Sequence, residues 1–468
     1  MKVRIILFFL VFNSINAQET FLNVSIKNKE SLGNINNAHV IDNKENNALF
    51  VFLEEAKTTY GYEYNQNKEL ELELVSKGLK RKFKTIIGSA IDGHKVRLIE
   101  TNKKQTKYAS ILFDFKNNIT EELTYNFKLS PYDYYLQSYS YKNTCYMYTY
   151  NSQSNKLCKW TFLIDGSIKQ KFYSLEGNYS WVNPSSKNHF HKEFQKVNNR
   201  LPNNLSITSK PYKMYEYDDS FKWTLDDNSG YTLIIDFKAP EFSPEFSRIS
   251  NPKIEANSPK TNSYIFENKI AQVVSNSSQL AFVIKNLSDE KIIKSISVSK
   301  KDTIDFKNGP ILQEGSAYSF GSTRKIEKTS KFLRKMSSDK NGISIYPMDD
   351  KYRVTIGGIR PQSSGGGMMM PGFGGMPIGQ FGAFTMSYNP TAFAYGAYGY
   401  NGSTRIECLF DSDFSHLQGE IPENVFDKID AYKNNLIENS ESVFSIGNQI
   451  LYGNYYPSKK QYVLISFK

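Results

Sequence analysis

His189 and His191, in the stretch KNHFHKEF, are the residues of this 468-residue chain best spaced to hold a metal. On an extended segment both rings point to one face and Glu193 follows on the same side, a donor set suited to a divalent cation. The alternative is an exposed Asn-rich loop, and the sequence is read as having no metal site and no cofactor. Cys145 and Cys158 flank a predicted hairpin turn at Asn151–Lys156. Opposed positions on paired strands can approach closely enough for a disulfide, and two buried thiols are the alternative. Cys408 is left over and reads as a small buried hydrophobe. Acidic turns in LDDNSG (Leu225–Gly230) and FDSD (Phe410–Asp413) lack the alternating D-x-D-x-D-G pattern of a calcium loop. The first also lacks the tryptophan of an Asp-box, so both read as hairpin turns. No HExxH, GxSxG, CxxC or Gly-rich phosphate loop occurs. SxxK occurs at Ser297–Lys300, Ser322–Lys325 and Ser337–Lys340 among other places, in a chain rich in both residues. No catalytic residue is assigned.

The strongest compositional signal lies elsewhere. From Pro361 to Thr404 no residue is charged, although 22% of the chain is. The first part, SSGGGMMMPGFGGMPIGQFGAF, is too rich in Gly and Pro for a regular element. Its exposed apolar side chains, Met368, Met369, Met370, Phe373, Met376, Phe381 and Phe384, are the candidate partner-binding residues, because methionine adapts its shape to apolar surfaces. The same thioethers could attract Cu(I), but no His or Cys stands beside them to complete a cage. The plainer alternative is a long insertion between two strands of a late sheet.

The elements that would carry these residues are mostly strands. ALFVFL (48–53), ELELELV (69–75), KVRLIE (95–100), ASILFDF (109–115), YTLIID (231–236) and QYVLISF (461–467) are read as short strands, with period-two patterning and β-branched and aromatic residues between Asn/Gly/Asp turns. Three strand–turn–strand units repeat. The first apolar residues after their turns, Leu70, Ile119 and Ile168, stand 49 residues apart. Looser copies lie at 214–242, 262–298 and 405–419. That period predicts an all-β, β-propeller-like fold of six to eight blades, seven favoured, occupying 18–468 as one domain. Gln461–Phe467 is expected to close the ring against Thr20–Ile26. Tandem β-sandwiches are the alternative. Two helices are expected. One lies near 422–437, with Pro422 in its first turn and Val425, Phe426, Ile429, Tyr432 and Leu436 on its apolar face. The other lies in TRKIEKTSKFLRKMSS, whose Ile326, Phe332, Leu333 and Met336 pack inward while its basic side faces water or an anionic surface.

The first 17 residues have a basic start, an apolar run from Ile5 to Phe12 and Ala17 before a polar stretch, the pattern of a secretory signal peptide. No later stretch is apolar enough for a spanning helix. The net charge falls from +11 to +9 once Lys2 and Arg4 are removed with the leader. The remaining charge is spread along the chain, which disfavours nucleic acid as a partner. The ending SINAQ of the leader, the Asn/Lys/Tyr-rich composition and the run KNGISIYPMDDKYRVTIGG before the Gly/Met segment resemble exported flavobacterial proteins, most closely from Lys331 to Asp427. The resemblance implies an exported, propeller-like protein and carries neither an activity nor any site residue. The terminal QYVLISFK shows none of the features of a surface-sorting domain, which favours the periplasm or secretion. The reading that follows is an exported binding or scaffold protein of the cell envelope, with an envelope protein or outer-membrane surface as partner. The alternative is an enzyme acting on glycan or peptide through a propeller channel.

Overall fold

In the computed structural model the described residues are 18–26, 35–77, 82–83, 85–175, 193–226, 230–255, 259–314, 324–360, 402–433, 440–447 and 449–467. They form seven small sheets. Blade 1 is β2 (Asn37–Asn43), β3 (Ala48–Glu54), β4 (Thr58–Tyr64) and β5 (Leu70–Lys77). Blade 2 is β6 (Thr85–Asp92), β7 (Lys95–Thr101), β8 (Tyr108–Asp114) and β9 (Ile119–Thr124). Blade 3 is β10 (Asp133–Tyr141), β11 (Thr144–Asn151), β12 (Lys156–Leu163) and β13 (Ile168–Ser174). In each of these the strands pair in sequence order, so a short turn after each strand suffices. Blade 5, from β19 (Lys260–Phe266), β20 (Lys269–Ser275), β21 (Gln279–Asn286) and β22 (Ile292–Ser299), follows the same rule.

The ring closes as the sequence predicts. Blade 7 takes β28 (Ser442–Ile446), β29 (Gln449–Tyr456) and β30 (Gln461–Phe467) from the C-terminal end and β1 (Gln18–Ser25) from the N-terminal end as its outer strand. Apolar clusters join each sheet to the next. Leu22, Val24 and Leu464 of blade 7 pack with Val40 and Val51 of blade 1. Phe50 and Phe52 of blade 1 pack with Leu98 and Phe113 of blade 2. Ile99 meets Met147 and Phe162 of blade 3, and Tyr148 meets Phe221 and Trp223 of blade 4. A single larger cluster then runs from blade 4 through blade 7. The result is an all-β, propeller-like architecture of seven sheets among the described residues. Position in a blade decides exposure. Every residue of β3 and β4 is buried, whereas no residue of the outer β9 is.

Two blades break the rule. Blade 4 comprises β15 (Tyr212–Glu216), β16 (Ser220–Leu225), β17 (Tyr231–Lys238) and β18 (Glu245–Ser250), with a three-residue β14 (Gln195–Val197) added parallel on its inner side. Blade 6 runs β25 (Lys340–Met348), β26 (Lys351–Arg360), β27 (Gly402–Asp411). Its outer position is filled by β23 (Ile311–Glu314), which precedes them in the chain and is followed by β24 (Arg324–Ile326). The sequence expectation of another turn-and-strand at Arg405–Gly419 is therefore corrected. After the Asp411–Ser415 turn only an isolated bridge, Phe410 to His416, follows, and the outer position beside Ser403–Arg405 is taken by β23.

Besides the four-residue helix α1 (Leu205–Thr208), two helices pack on this frame. In α2 (Thr329–Ser338), Phe332, Leu333 and Met336 are buried while Lys331 and Arg334 face solvent. Helix α3 (Val425–Lys433) starts three residues later than Pro422 suggested. Asn424 is the reason: its side chain accepts from the amides of Phe426 and Asp427, and the Asp427 carboxylate accepts from the Asn424 amide. No helix among the described residues is long and apolar enough to cross a membrane.

Candidate functional site

In an antiparallel blade, the turns after the first strands all lie on one side of the disc, close to its axis. There they enclose a cavity of about 350 Å³. Blade 1 contributes Asp42, Asn43 and Lys44, and blade 3 contributes Tyr141 and Lys142. Glu216, Tyr217 and Asp218 come from blade 4 and Ile446 from blade 7, while Ser89 of blade 2 completes the wall. The volume is that of a small-ligand or side-chain pocket. Its rim carries both signs of charge. Asp218 lies 3.6 Å from Arg200 and 3.8 Å from Lys44, all well exposed, so these pairs hold little energy and can exchange partners.

The deeper groups are fixed. Glu216 is salt-bridged at 2.7 Å to Lys196 of β14, whose side chain has no exposure. Burial raises the Glu216 carboxyl above its ordinary range, with Lys196 pulling the other way. On the rim, partial burial of its carboxyl raises exposed Asp42 as well, opposed by Lys44. Tyr139 at the end of β10 donates to the Tyr217 carbonyl at 2.8 Å, which ties the blade 3 wall to the blade 4 turn.

Below the cavity the chain between β14 and β15 occupies the inner edge from blade 4 to blade 6. Asn203 donates to the Asn198 and Leu201 carbonyls, both at 2.8 Å, and to the Tyr264 hydroxyl of blade 5 at 3.0 Å. Asn204 caps α1 by accepting from the Ser206 and Ile207 amides. Leu205 then lies over Gly342 and Gly357, which face each other in the β25–β26 ladder. A Cβ on Gly357 would come within 2.7 Å of Leu205 and 2.4 Å of the Thr404 carbonyl, so the approach requires glycine there.

The sequence-derived candidates fare differently. His189 and His191 lie outside the described residues, as do the leader and the partner-binding residues Met368, Met369, Met370, Phe373, Met376, Phe381 and Phe384. The strands flanking the last group are described. β26 and β27 pair in full register from Lys351–Asp411 to Arg360–Gly402, so segment 361–401 joins two neighbouring strands of one late blade. A connection between second and third strands leaves from the side of the disc opposite the cavity. α2 is on that side too, since Arg360 is paired with Asp339 at its end at 3.0 Å.

The disulfide expectation is corrected. Cys145 stands opposite Phe162 and Cys158 opposite Thr149, four residues apart along the β11–β12 ladder. At the rise of a strand that is about 13 Å, beyond the reach of a disulfide. Both are free, buried thiols, which burial pushes up to about 12 for Cys145 and about 11 for Cys158. Cys408 is buried and free as expected. None of the cavity residues was singled out from the sequence, because Asp42, Asn43 and Asp218 sit in turns where Asp and Asn are expected for conformational reasons.

No protein-family model matches the chain, and no curated protein matches it. Solved structures similar to it include the cobalt-substituted apocarotenoid oxygenase of Synechocystis, at 8% identity over 56% of this chain and 61% of that one, TM-score 0.29. AofleA from Arthrobotrys oligospora is another, at 11% identity over 73% and 83%, TM-score 0.26. The chain spans about three fifths of the oxygenase. At these scores neither likeness carries an argument about this chain.

Proposed function

We propose that the protein is an exported binding protein of the cell envelope, a scaffold that seats a polar segment of a partner in the axial cavity. The observation that supports this is the cavity itself, with exchangeable rim charges of both signs above fixed, paired groups. Arg200 and Lys142 suit a carboxylate, Asp42 and Asp218 an amine, and Tyr141 and Tyr217 the apolar surface between, a combination that suits a peptide. The uncharged segment 361–401, whose flanking strand ends Arg360 and Gly402 lie on the opposite side, is the second candidate contact. The N-terminal pattern supports export. One observation favours the enzyme reading: Asp42 and Glu216, both in the cavity, hold their protons more tightly than ordinary carboxyls, as a general acid must.

Affinity capture from solubilised envelopes separates these readings. Three baits are needed: the wild type, an Arg200→Ala/Lys142→Ala variant and a chain lacking 365–382. A defined partner lost with the cavity variant supports the cavity as the seat. A partner lost only with the deletion moves the contact to the insertion. Failure of all three baits to capture a partner, with peptide or glycan cleavage abolished by Asp42→Asn, replaces the binding reading with the enzymatic one.

A further inference from the structure

Outside the cavity, three potential metal ligands converge where blade 1 meets blade 2. Glu63 lies on β4, with its carboxylate buried among strands. Its neighbour β5 carries Glu71 and Glu73, which continue an apparently regular alternation that begins at Glu69 just before the strand. The pairing is not regular. Glu63 faces Leu72 and Tyr64 faces Leu70, so Glu71 is the extra residue of a β-bulge. In an unbroken ladder Glu71 and Leu72 would point to opposite faces; a bulge sets two residues against one and re-aims a side chain, here toward Glu63.

The third group comes from the β6–β7 turn. Gly93 takes a left-handed conformation, and its carbonyl accepts from the side-chain amides of Asn43 and Asn46 of blade 1, both at 3.1 Å. The His94 carbonyl accepts from the Phe115 amide at 3.1 Å. The turn is thus clamped on both sides of the residue it presents, and His94 is aimed at Glu63. One donor atom from each of Glu63, Glu71 and His94 lies within 4.8 Å of the others.

We propose that Glu63, Glu71 and His94 form a binding site for a divalent transition-metal cation, with Zn²⁺ the cation that fits. One imidazole and two carboxylates match a three-ligand zinc site with water in the fourth position, and the exposure of Glu71 and His94 leaves that position open. Ca²⁺ prefers six to eight oxygens, more than this cluster supplies. The competing description is a direct His94–Glu63 ion pair, whose atoms lie 2.5 Å apart. Tetrahedral zinc would part them to about 3.3 Å, a small opening for an exposed ring. In the ion-pair description Glu71 has no task, and that is the difference to test.

The experiment is a Zn²⁺ titration of the EDTA-stripped full chain against a chromophoric chelator, with Ca²⁺ as control. The variants are Glu71→Gln, His94→Ala and His189→Ala/His191→Ala. One equivalent of Zn²⁺ should bind. Glu71→Gln should weaken binding by about tenfold or more while leaving the metal-free melting temperature unchanged, since Glu71 is exposed. His94→Ala should weaken it at least as much. No stoichiometric uptake, uptake unchanged by Glu71→Gln, or uptake abolished by the His189/His191 pair would each overturn the proposal.

Discussion

Blades 1 to 3 and blades 4 and 6 solve the same problem in different ways. In the first three, consecutive strands fill consecutive positions, and neighbouring sheets are joined by packed rings. Phe50 stacks on Phe115 at 5.3 Å, and Phe52 meets Phe113 at 5.0 Å. In blades 4 and 6 the chain inserts a parallel strand, a short helix at the axis and an outer strand from upstream. There charged contacts are added to the apolar joints. Arg405 forks onto both oxygens of Glu314, at 2.8 and 3.1 Å, and reaches Glu407 at 3.1 Å; Arg353 bridges Glu407 and Asp427. An outer strand that follows its neighbour through a tight turn needs no further fastening. β23 has no such turn and only three ladder pairs to β27, and the Arg405–Glu314 fork spans that join. Irregular connectivity has been matched with directional contacts, which specify a partner more narrowly than apolar area does.

The largest effect should follow from breaking that fork. Arg405→Ala removes the buried cation shared by the partly buried carboxylates of Glu314 and Glu407 while Arg353 still faces Glu407, and the loss should cost about 3 kcal/mol, the low end for breaking a buried pair. Denaturant unfolding should show a correspondingly lower midpoint, with limited proteolysis cutting first near 311–326, around β23 and β24. A variant as stable as the wild type would mean that β23 is held by its ladder alone.

The same network sets an expected pH dependence. Burial alone would raise Glu407, but Arg353 and Arg405 together bring its carboxyl below the ordinary value of 4.5. A carboxyl with a depressed value in the folded state contributes stability that is present above 4.5 and is lost as pH falls through the folded value. Glu407→Gln should therefore cost about 1.5–3 kcal/mol at pH 7, the worth of charge-assisted hydrogen bonds. The gap between variant and wild type should close below the folded value, where glutamic acid and glutamine are nearly equivalent. A constant gap from pH 7 to 3 would assign the effect to packing rather than charge.

The comparison also explains which parts of the molecule could be read in the sequence. Leu70, Ile119 and Ile168 were visible as a repeat because they begin β5, β9 and β13, outer strands with one half-exposed face, where polar and apolar residues must alternate. The inner strands blur the pattern, since β3 and β4 are buried on both faces. β14 is too short to show a period, and β23 takes its blade position out of chain order, so neither followed from local patterning. The cavity was illegible for another reason. Its residues are ordinary turn formers from five blades, and only ring closure brings Asp42 near Asp218 and Ile446. Glu71 was hidden because a bulge leaves no mark on ELELELV.

The smallest effect should come from the regular half, by crowding one of its aromatic joints. Gly61 lies opposite Phe52 on β4. A Cβ there would meet the Phe113 ring at 2.8 Å and the Phe52 ring at 3.0 Å. Gly61→Val improves strand propensity, yet it forces two packed rings apart at the joint between blades 1 and 2, and overpacking of this kind costs about 1–3 kcal/mol. Unlike loss of a buried charge, the strain can be relieved by shape. Adding Phe113→Leu should return part of the stability, so that the double variant is less destabilised than the sum of the two single ones. Strict additivity, or no cost for Gly61→Val alone, would show that this joint tolerates extra volume and that the regular blades are held by area rather than by fit.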